Sequence, residues 1–161
     1  MAKRKKQEPT KKKVGGPFLA CAVFCQNVIE DSNRFVSALG INDGVTMAVS
    51  PQAPSDLASP SNPVAITQNA LIIFRSGDSH GKHKLSLIVE RPDGTRMKPM
   101  TQEIVLPKDA GVNVRSAIPL KIEGSGVFWI DVKLDGRLHT RMPLKIQVQR
   151  AEVPGADGKK S

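Results

Sequence analysis

The stretch from residue 127 to residue 148 constrains the fold most, because apolar and polar side chains alternate along it around one break at Asp135-Gly136. The apolar members are Phe128, Ile130, Val132 and Leu134 before the break and Leu138, Met142, Leu144, Ile146 and Val148 after it. Successive side chains of a β-strand point to opposite faces, so each half predicts a strand with one apolar face. Asp-Gly tolerates the positive φ angles of a two-residue turn, which makes the stretch a predicted β-hairpin.

About nine strand-like runs, spaced about ten residues apart and separated by Gly, Pro, Asn and Asp, follow one another along the chain. They cover residues 18–28, 34–41, 45–49, 64–75, 82–91, 97–106, 112–122 and the two halves of the final hairpin. Pro99 predicts that the run from 97 to 106 is an edge strand or irregular until Ile104. No segment shows a helical period. We therefore predict an all-β fold, a single antiparallel β-sandwich that is immunoglobulin-like or similar, over residues 17–150.

The net charge of +9 is concentrated at the start of the chain, where residues 1–13 hold seven Lys or Arg and one Glu. This composition predicts a disordered basic tail over residues 1–16, and residues 151–161 predict a flexible C-terminal tail. A basic arm can contact nucleic-acid phosphates without sequence preference. The candidate contacts are Lys3, Arg4, Lys5, Lys6, Lys11, Lys12 and Lys13, with Arg137, Arg141 and Lys145 on the outer face of the last hairpin.

The alternative interpretation of the same charges, which we favour, is a solubilising arm and a solvated sheet face. Aromatic residues make up 4% of the chain and Tyr is absent, which argues against a base-stacking platform. Trp129, the single Trp, is a candidate protein-interface residue, since aromatic side chains are enriched at interfaces. Alternatively, Trp129 packs under the long loop from Ser50 to Pro63, and we favour this second interpretation.

That loop is rich in Pro, Ser and Ala, and Leu57 is its one large apolar residue. We expect it to be extended or mobile, either a solvated excursion or a functional element. Cys21 and Cys25 lie about 13 Å apart along a strand, too far for a disulfide, and predict buried core thiols. No window approaches the roughly 20 apolar residues of a membrane span, and we expect a cytoplasmic protein without a membrane partner.

Catalytic and metal-binding patterns are weak. Asp78, His80 and His83 share a loop with the H-x-x-H spacing, but Asp, Ser, His and Gly are also ordinary residues of a polar hairpin tip, the reading we prefer. His139 falls on the predicted outward face of the last strand, where we expect it to be solvated. No G-x-S-x-G sequence or phosphate-binding loop occurs. We expect no enzyme activity, no catalytic residues, no cofactor and no metal.

Two segments resemble a known family. The first is the run from Gly126 to Gly136, followed by Pro143-Leu144-Lys145-Ile146. The second is Cys25-Gln26-Asn27-Val28-Ile29-Glu30-Asp31 followed by Phe35-Val36-Ser37-Ala38-Leu39-Gly40. Together they resemble a family of small, uncharacterised bacterial β-sandwich proteins, a domain of unknown function, over roughly residues 18–150. The resemblance implies the fold and carries no catalytic residues.

These observations predict a non-enzymatic interaction or accessory module that binds another macromolecule by a sheet face, a strand edge or the long loop. A protein is the expected partner, and strand addition to an exposed edge is one expected mode. The alternative is a nonspecific nucleic-acid-binding protein that acts through its basic N-terminal arm.

Overall fold

The computed structural model describes residues 15–151, and this range contains ten β-strands and no helix. The strands are β1 (Phe18–Cys25), β2 (Asn27–Glu30), β3 (Val36–Leu39), β4 (Gly44–Val49), β5 (Val64–Arg75), β6 (Gly81–Glu90), β7 (Met100–Leu106), β8 (Gly111–Ile122), β9 (Gly126–Leu134) and β10 (Arg137–Arg150). The all-β class predicted from the sequence is confirmed. No helix of the described range is long and apolar enough to cross a membrane.

The strands form three sheets. A three-stranded sheet has the order β1-β5-β8, a five-stranded sheet has the order β4-β10-β9-β6-β7, and β2 pairs with β3 in a separate hairpin. β7 lies at the end of the five-stranded sheet, as Pro99 predicted, although its pairing with β6 begins already at Met100. The predicted first strand from residue 18 to residue 28 is two strands, because pairing changes from β5 to β3 at Gln26.

One pair departs from the antiparallel arrangement that we predicted. β4 runs parallel to β10, with Gly44 opposite Lys145 and Val49 opposite Arg150. Parallel neighbours need a long crossover connection, and here the chain passes through five other strands between them. The prediction of a purely antiparallel fold is therefore wrong at this pair.

The β9–β10 hairpin follows its sequence pattern closely. Asp135 and Gly136 have φ angles of +50° and +81°, the two positive values that a two-residue type I′ turn requires. The Asp135 carboxylate adds a second role, because it accepts a hydrogen bond from the Lys84 amide at 2.8 Å and so ties the turn to β6.

One hydrophobic core contains side chains of both larger sheets. Ile72, Phe74, Ile118 and Leu120 contribute from the three-stranded sheet, and Leu85, Phe128, Ile130 and Leu144 are among those from the five-stranded sheet. Ala58 joins this core from the loop between β4 and β5. Burial of this apolar surface is the main favourable term that holds the two sheets together.

A β-bulge alters the face assignments in β1. The register with β5 shifts between Leu19 and Cys21, so Leu19 and Ala22 both contact the core. By alternation, Cys21 and Cys25 lie on the opposite face of β1 from Ala22, and neither forms a disulfide. Cys25 is fully buried and Cys21 is half-buried. Of the two predicted buried thiols, only that of Cys25 is fully buried.

The loop from Ser50 to Pro63 folds into hydrogen-bonded turns and is not extended. Amides of Ala53 and Leu57 donate to the carbonyls of Ser50 and Pro54, and the Asn62 side chain donates to Asp56. The Arg150 guanidinium then binds the carbonyls of Ala53, Pro54 and Ser55 at 2.9, 2.8 and 3.3 Å. These hydrogen bonds attach the loop to the C-terminal end of β10.

Candidate functional site

Trp129 lies on the outer face of the five-stranded sheet, between Glu90 of β6 and Pro143 of β10. The Arg141 guanidinium covers its ring, with 5.1 Å between the guanidinium carbon and the ring centroid. This distance is within the range of a cation–π contact. The Trp129 side chain is therefore half-buried beneath an arginine of the same sheet, and neither of the two placements considered from the sequence describes this contact.

Arg141 also belongs to an ion-pair network with Glu90, Arg96 and Asp131. It contacts Glu90 Oε1 at 2.6 Å and Asp131 Oδ1 at 3.2 Å. Arg96 contacts Glu90 Oε2 at 3.0 Å and Asp131 Oδ2 at 3.8 Å. Each guanidinium bridges both carboxylates, which fixes the positions of all four side chains.

The charges of the ion-pair network cancel, two positive against two negative. Hydrogen bonds from Arg141 and then Arg96 lower the pKa of the Glu90 carboxyl, so that it stays ionised in the network. The Asp131 side chain is 7% exposed, so its charge is mostly removed from water and depends on the two arginines. Arg141 is therefore balanced by acids and does not contribute a free positive charge to a basic stripe.

The other predicted nucleic-acid contacts are dispersed. Arg137 and Lys145 are exposed on β10, on either side of Arg141, and neither forms an ion pair within the described residues. The seven basic residues from Lys3 to Lys13 lie outside the described residues. Of the predicted tail, Gly15 and Gly16 are described, and the Gly15 amide donates to the Asp78 carboxylate at 2.8 Å.

The three histidines do not come together. His80 is exposed in the β5–β6 connection, whereas His83 Nδ1 lies 2.7 Å from Asp135 Oδ2 in a different turn. The Asp78 carboxylate accepts the Gly15 amide instead. Asp78, His80 and His83 therefore do not face a common ligand position. Within residues 15–151, no three His, Cys, Asp or Glu side chains are placed to hold a metal ion.

His139 differs from its predicted outward, solvated position. The register of β10 with β9 shifts between Leu138 and Thr140, and this bulge turns the His139 ring edge-on to the core residue Phe74 at 5.3 Å. Burial, followed by the nearby Arg137 charge, lowers the pKa of His139. The same bulge leaves Leu138 half-exposed, so both residues exchange the faces that strict alternation predicts.

An apolar surface on the β2–β3 hairpin was missed from the sequence. Ile29 and Leu39 project from one side of this hairpin, and Phe35 lies directly before β3; the three side chains are 45%, 47% and 71% exposed. We call this set the hairpin face. The signal was present in the alternation of Phe35, Ser37 and Leu39, but the absence of a partner for their side is a tertiary property.

The hairpin that carries this face is anchored on its other side and at both ends. Glu30 forms an ion pair with Arg115 of β8, and the Gln26 amide donates to the carbonyls of Leu39 and Gly40. At the tip, the Asp31 carboxylate accepts the amides of Asn33 and Phe35 at 2.8 and 2.9 Å. The hairpin face is therefore presented on a fixed element.

Comparison with protein families relates the chain to a known one. Residues 20–147, from β1 to the greater part of β10, match the model of a family that is described as one of unknown function. The predicted resemblance to a domain of unknown function is thereby confirmed. None of the curated proteins matches the chain.

Proposed function

Since the chain belongs to DUF6941, a family of unknown function, we propose its role from its own surfaces: it is a non-enzymatic accessory module that binds another protein through the hairpin face. The observation that carries this proposal is the exposure of Ile29, Phe35 and Leu39 on one hairpin. Grouped apolar side chains of this size, kept in water on a fixed element, are typical of protein-binding surfaces.

The geometry of the hairpin supports a preformed contact. Its backbone is held by Asp31 at the tip and by Gln26 at the base, so little conformational entropy remains to be lost when a partner binds. The ion pair between Glu30 and Arg115 holds the opposite side of the hairpin against β8, so the apolar side chains stay turned away from the body of the protein.

Trp129 remains a proposed second contact. Its ring and the covering Arg141 guanidinium combine the two residue types that most often dominate binding energy at interfaces. The neutral ion-pair network around them would be buried without an unpaired charge, which favours a protein over a polyanion at this face.

We also propose that the two larger sheets form a single immunoglobulin-like sandwich. The shared core supports this, since it draws side chains from both sheets. So does the strand order: β1-β5-β8 corresponds to strands A, B and E of that fold, and β10-β9-β6-β7 corresponds to G, F, C and C′. A cytoplasmic location is part of the same proposal.

The nucleic-acid alternative depends on residues 3–13, which lie outside the described residues, and it stays a prediction. A retardation assay with mixed DNA and RNA at low and high salt tests it directly. Binding that weakens steeply with salt would support the basic arm as a nucleic-acid contact.

The main proposal is tested with the double variant Phe35→Ser/Leu39→Ser. The matched control is Val105→Ser, which removes an apolar side chain that is 56% exposed on β7, outside the hairpin face. Partners captured on the full-length protein are identified, purified and titrated against all three proteins. We expect the double variant to lose at least about tenfold in affinity, because central apolar anchors each contribute that much, and the control to bind normally.

Equal binding by the double variant and the wild-type protein would place the partner on another surface. A partner that is lost equally with Val105→Ser would indicate a general effect of surface hydrophobicity. Either result would refute the hairpin face as the binding site.

A further inference from the structure

A groove of about 460 Å³ opens between β1 and β10, where the edges of the two larger sheets meet. Its lining includes Ala22 and Phe24 of β1, Ile41 and Asn42 before β4, and Arg141 and Pro143 of β10. A cavity of this size is within the range that binds small molecules and short peptide segments.

One side of the groove is formed by a part of β10 that has no neighbouring strand on its outer edge. β4 covers only the part of β10 from Lys145 to Arg150, and the Lys145 amide donates to the Asp43 carbonyl at 2.8 Å. Main-chain groups alternate in direction along a strand, so those of Arg141 and Pro143 point to the same side as the Lys145 amide. No described strand pairs with them on that side. An interior strand of the sheet therefore has an open edge for part of its length.

The opposite side of the groove is the free edge of β1, which pairs with β5 alone. The Phe24 carbonyl points into the gap and accepts the Asn42 amide at 3.1 Å, which closes the groove at one end. By the same alternation, the main-chain groups of Ala22 also face the gap. The groove thus presents unpaired backbone donors and acceptors from two strands, and an extended polypeptide is the chemical group that matches both.

Two side chains add to this requirement. Asn42 Oδ1 is buried in the groove wall and has no hydrogen-bond partner among the described residues. A buried acceptor of this kind needs a donor, such as a peptide N–H. Asp43 also lines the groove and forms no ion pair within residues 15–151, whereas Arg141 is paired with Glu90 and Asp131. The groove therefore has an apolar lining with one unbalanced negative charge.

We propose that this groove binds an extended segment of a partner protein, which adds as a short strand beside β10 between Thr140 and Lys145. The proposal rests on the proposed function, protein binding, and assigns a further contact that is separate from the hairpin face and from Trp129. The segment would carry apolar side chains against Phe24 and Ile41 and a basic side chain near Asp43. Residues 2–13 of the chain itself do not fit, because they contain no large apolar side chain.

Pro143 supplies a sharp test. Its nitrogen carries no hydrogen and lies on the open side of β10, where it removes one donor from the edge. Pro143→Ala would restore that donor without breaking a bond to β9. A strand that adds at this edge should therefore bind Pro143→Ala more tightly than the wild-type protein, by about two- to tenfold for one additional hydrogen bond.

The probe is a displayed library of random dodecapeptides, selected on full-length protein, from which the bound peptides are synthesised. We expect selected peptides with alternating apolar residues and at least one Lys or Arg. They should slow hydrogen exchange at the Arg141 amide, bind Pro143→Ala more tightly, and bind Ile41→Lys at least about fivefold more weakly. The matched control is Leu138→Lys, which adds the same charge at a half-exposed residue of β10 outside the groove.

Several results would overturn the proposal. These are a selection that yields no peptide, peptides whose affinity is equal for Pro143→Ala and the wild-type protein, and protection of amides elsewhere. A concentration-dependent dimer that protects the Arg141 amide would mean that a second copy occupies the groove. None of these variants alters Phe35 or Leu39, so failure here leaves the test of the hairpin face unaffected.

Discussion

At the residue scale, burial separates the ion pairs that stabilise this fold from those that do not. The Asp131 side chain is 7% exposed and bridges two guanidinium groups. Lys82 and Glu103, by contrast, form a 3.0 Å pair between side chains that are 75% and 61% exposed. Exposed pairs gain little, because water screens the attraction and the side chains lose conformational entropy.

We predict that Asp131→Ala lowers the free energy of unfolding by about 1–3 kcal/mol, since the ion pairs of a mostly buried carboxylate are lost. Glu103→Ala should change it by less than about 0.5 kcal/mol. Urea unfolding of both variants measures the difference. Equal effects would mean that the burial of Asp131 has no energetic consequence.

His139 gives the fold a dependence on pH. Its pKa is lowered in the folded protein by burial and by Arg137, so the unfolded chain binds a proton at higher pH than the folded protein does. The stabilisation is therefore complete above the ordinary histidine pKa of about 6.5 and is lost as the pH falls below it. We expect His139→Phe to reduce the loss of stability between about pH 7.5 and about pH 5.5 in urea titrations. His80→Gln, at an exposed histidine, should leave that loss unchanged; an unchanged loss in His139→Phe would contradict the assignment.

At the scale of single elements, the sequence predicts strands where a regular alternation meets a regular partner. β5 has the predicted bounds, Val64 to Arg75, and the β9–β10 hairpin has the predicted turn. The predictions fail where one extra residue shifts the register, at Ala20 in β1 and at His139 in β10. Neither residue type marks a bulge, since a bulge is decided by the neighbouring strand.

The candidate site was less predictable for the same reason. Trp129 was selected as an unusual residue, but its cover by Arg141 depends on the pairing of β9 with β10. The hairpin face could not be foreseen, because Phe35 and Leu39 have the spacing of core residues and only the absence of a facing sheet leaves them exposed.

The loop from Ser50 to Pro63 offers a test at this scale. Arg150 binds three of its carbonyls, so Arg150→Ala should release the loop and accelerate proteolysis and hydrogen exchange between residues 50 and 63. We expect the cost in global stability to be about 1 kcal/mol, since the guanidinium is exposed. Arg137→Ala, which removes an exposed arginine at the other end of β10, is the control. An unchanged rate of hydrogen exchange in Arg150→Ala would show that the turns keep the loop folded without the hydrogen bonds from Arg150.

At the scale of the whole molecule, the shared core should couple the two larger sheets in one transition. Trp129, the single Trp, reports on the five-stranded sheet, whereas Ile72 is fully buried in the three-stranded sheet. We predict that Ile72→Ala lowers the free energy of unfolding by about 2–5 kcal/mol. The change should be the same by Trp129 fluorescence and by far-ultraviolet circular dichroism. A fluorescence transition that stays at the wild-type midpoint would mean that the sheets unfold independently.

The place of β10 within its sheet has a consequence for the newly made chain. β10 is the last of the described strands and lies between β4 and β9. During synthesis, both β4 and β9 therefore lack one of their neighbouring strands until β10 has been made. Until residues 137–150 leave the ribosome, Val45, Met47 and Phe128 lack the neighbour that covers their backbone. Contacts this distant in sequence also slow folding, because a long loop must close before they form. Nascent chains that stall before β10 should therefore depend on chaperones more than the finished protein does.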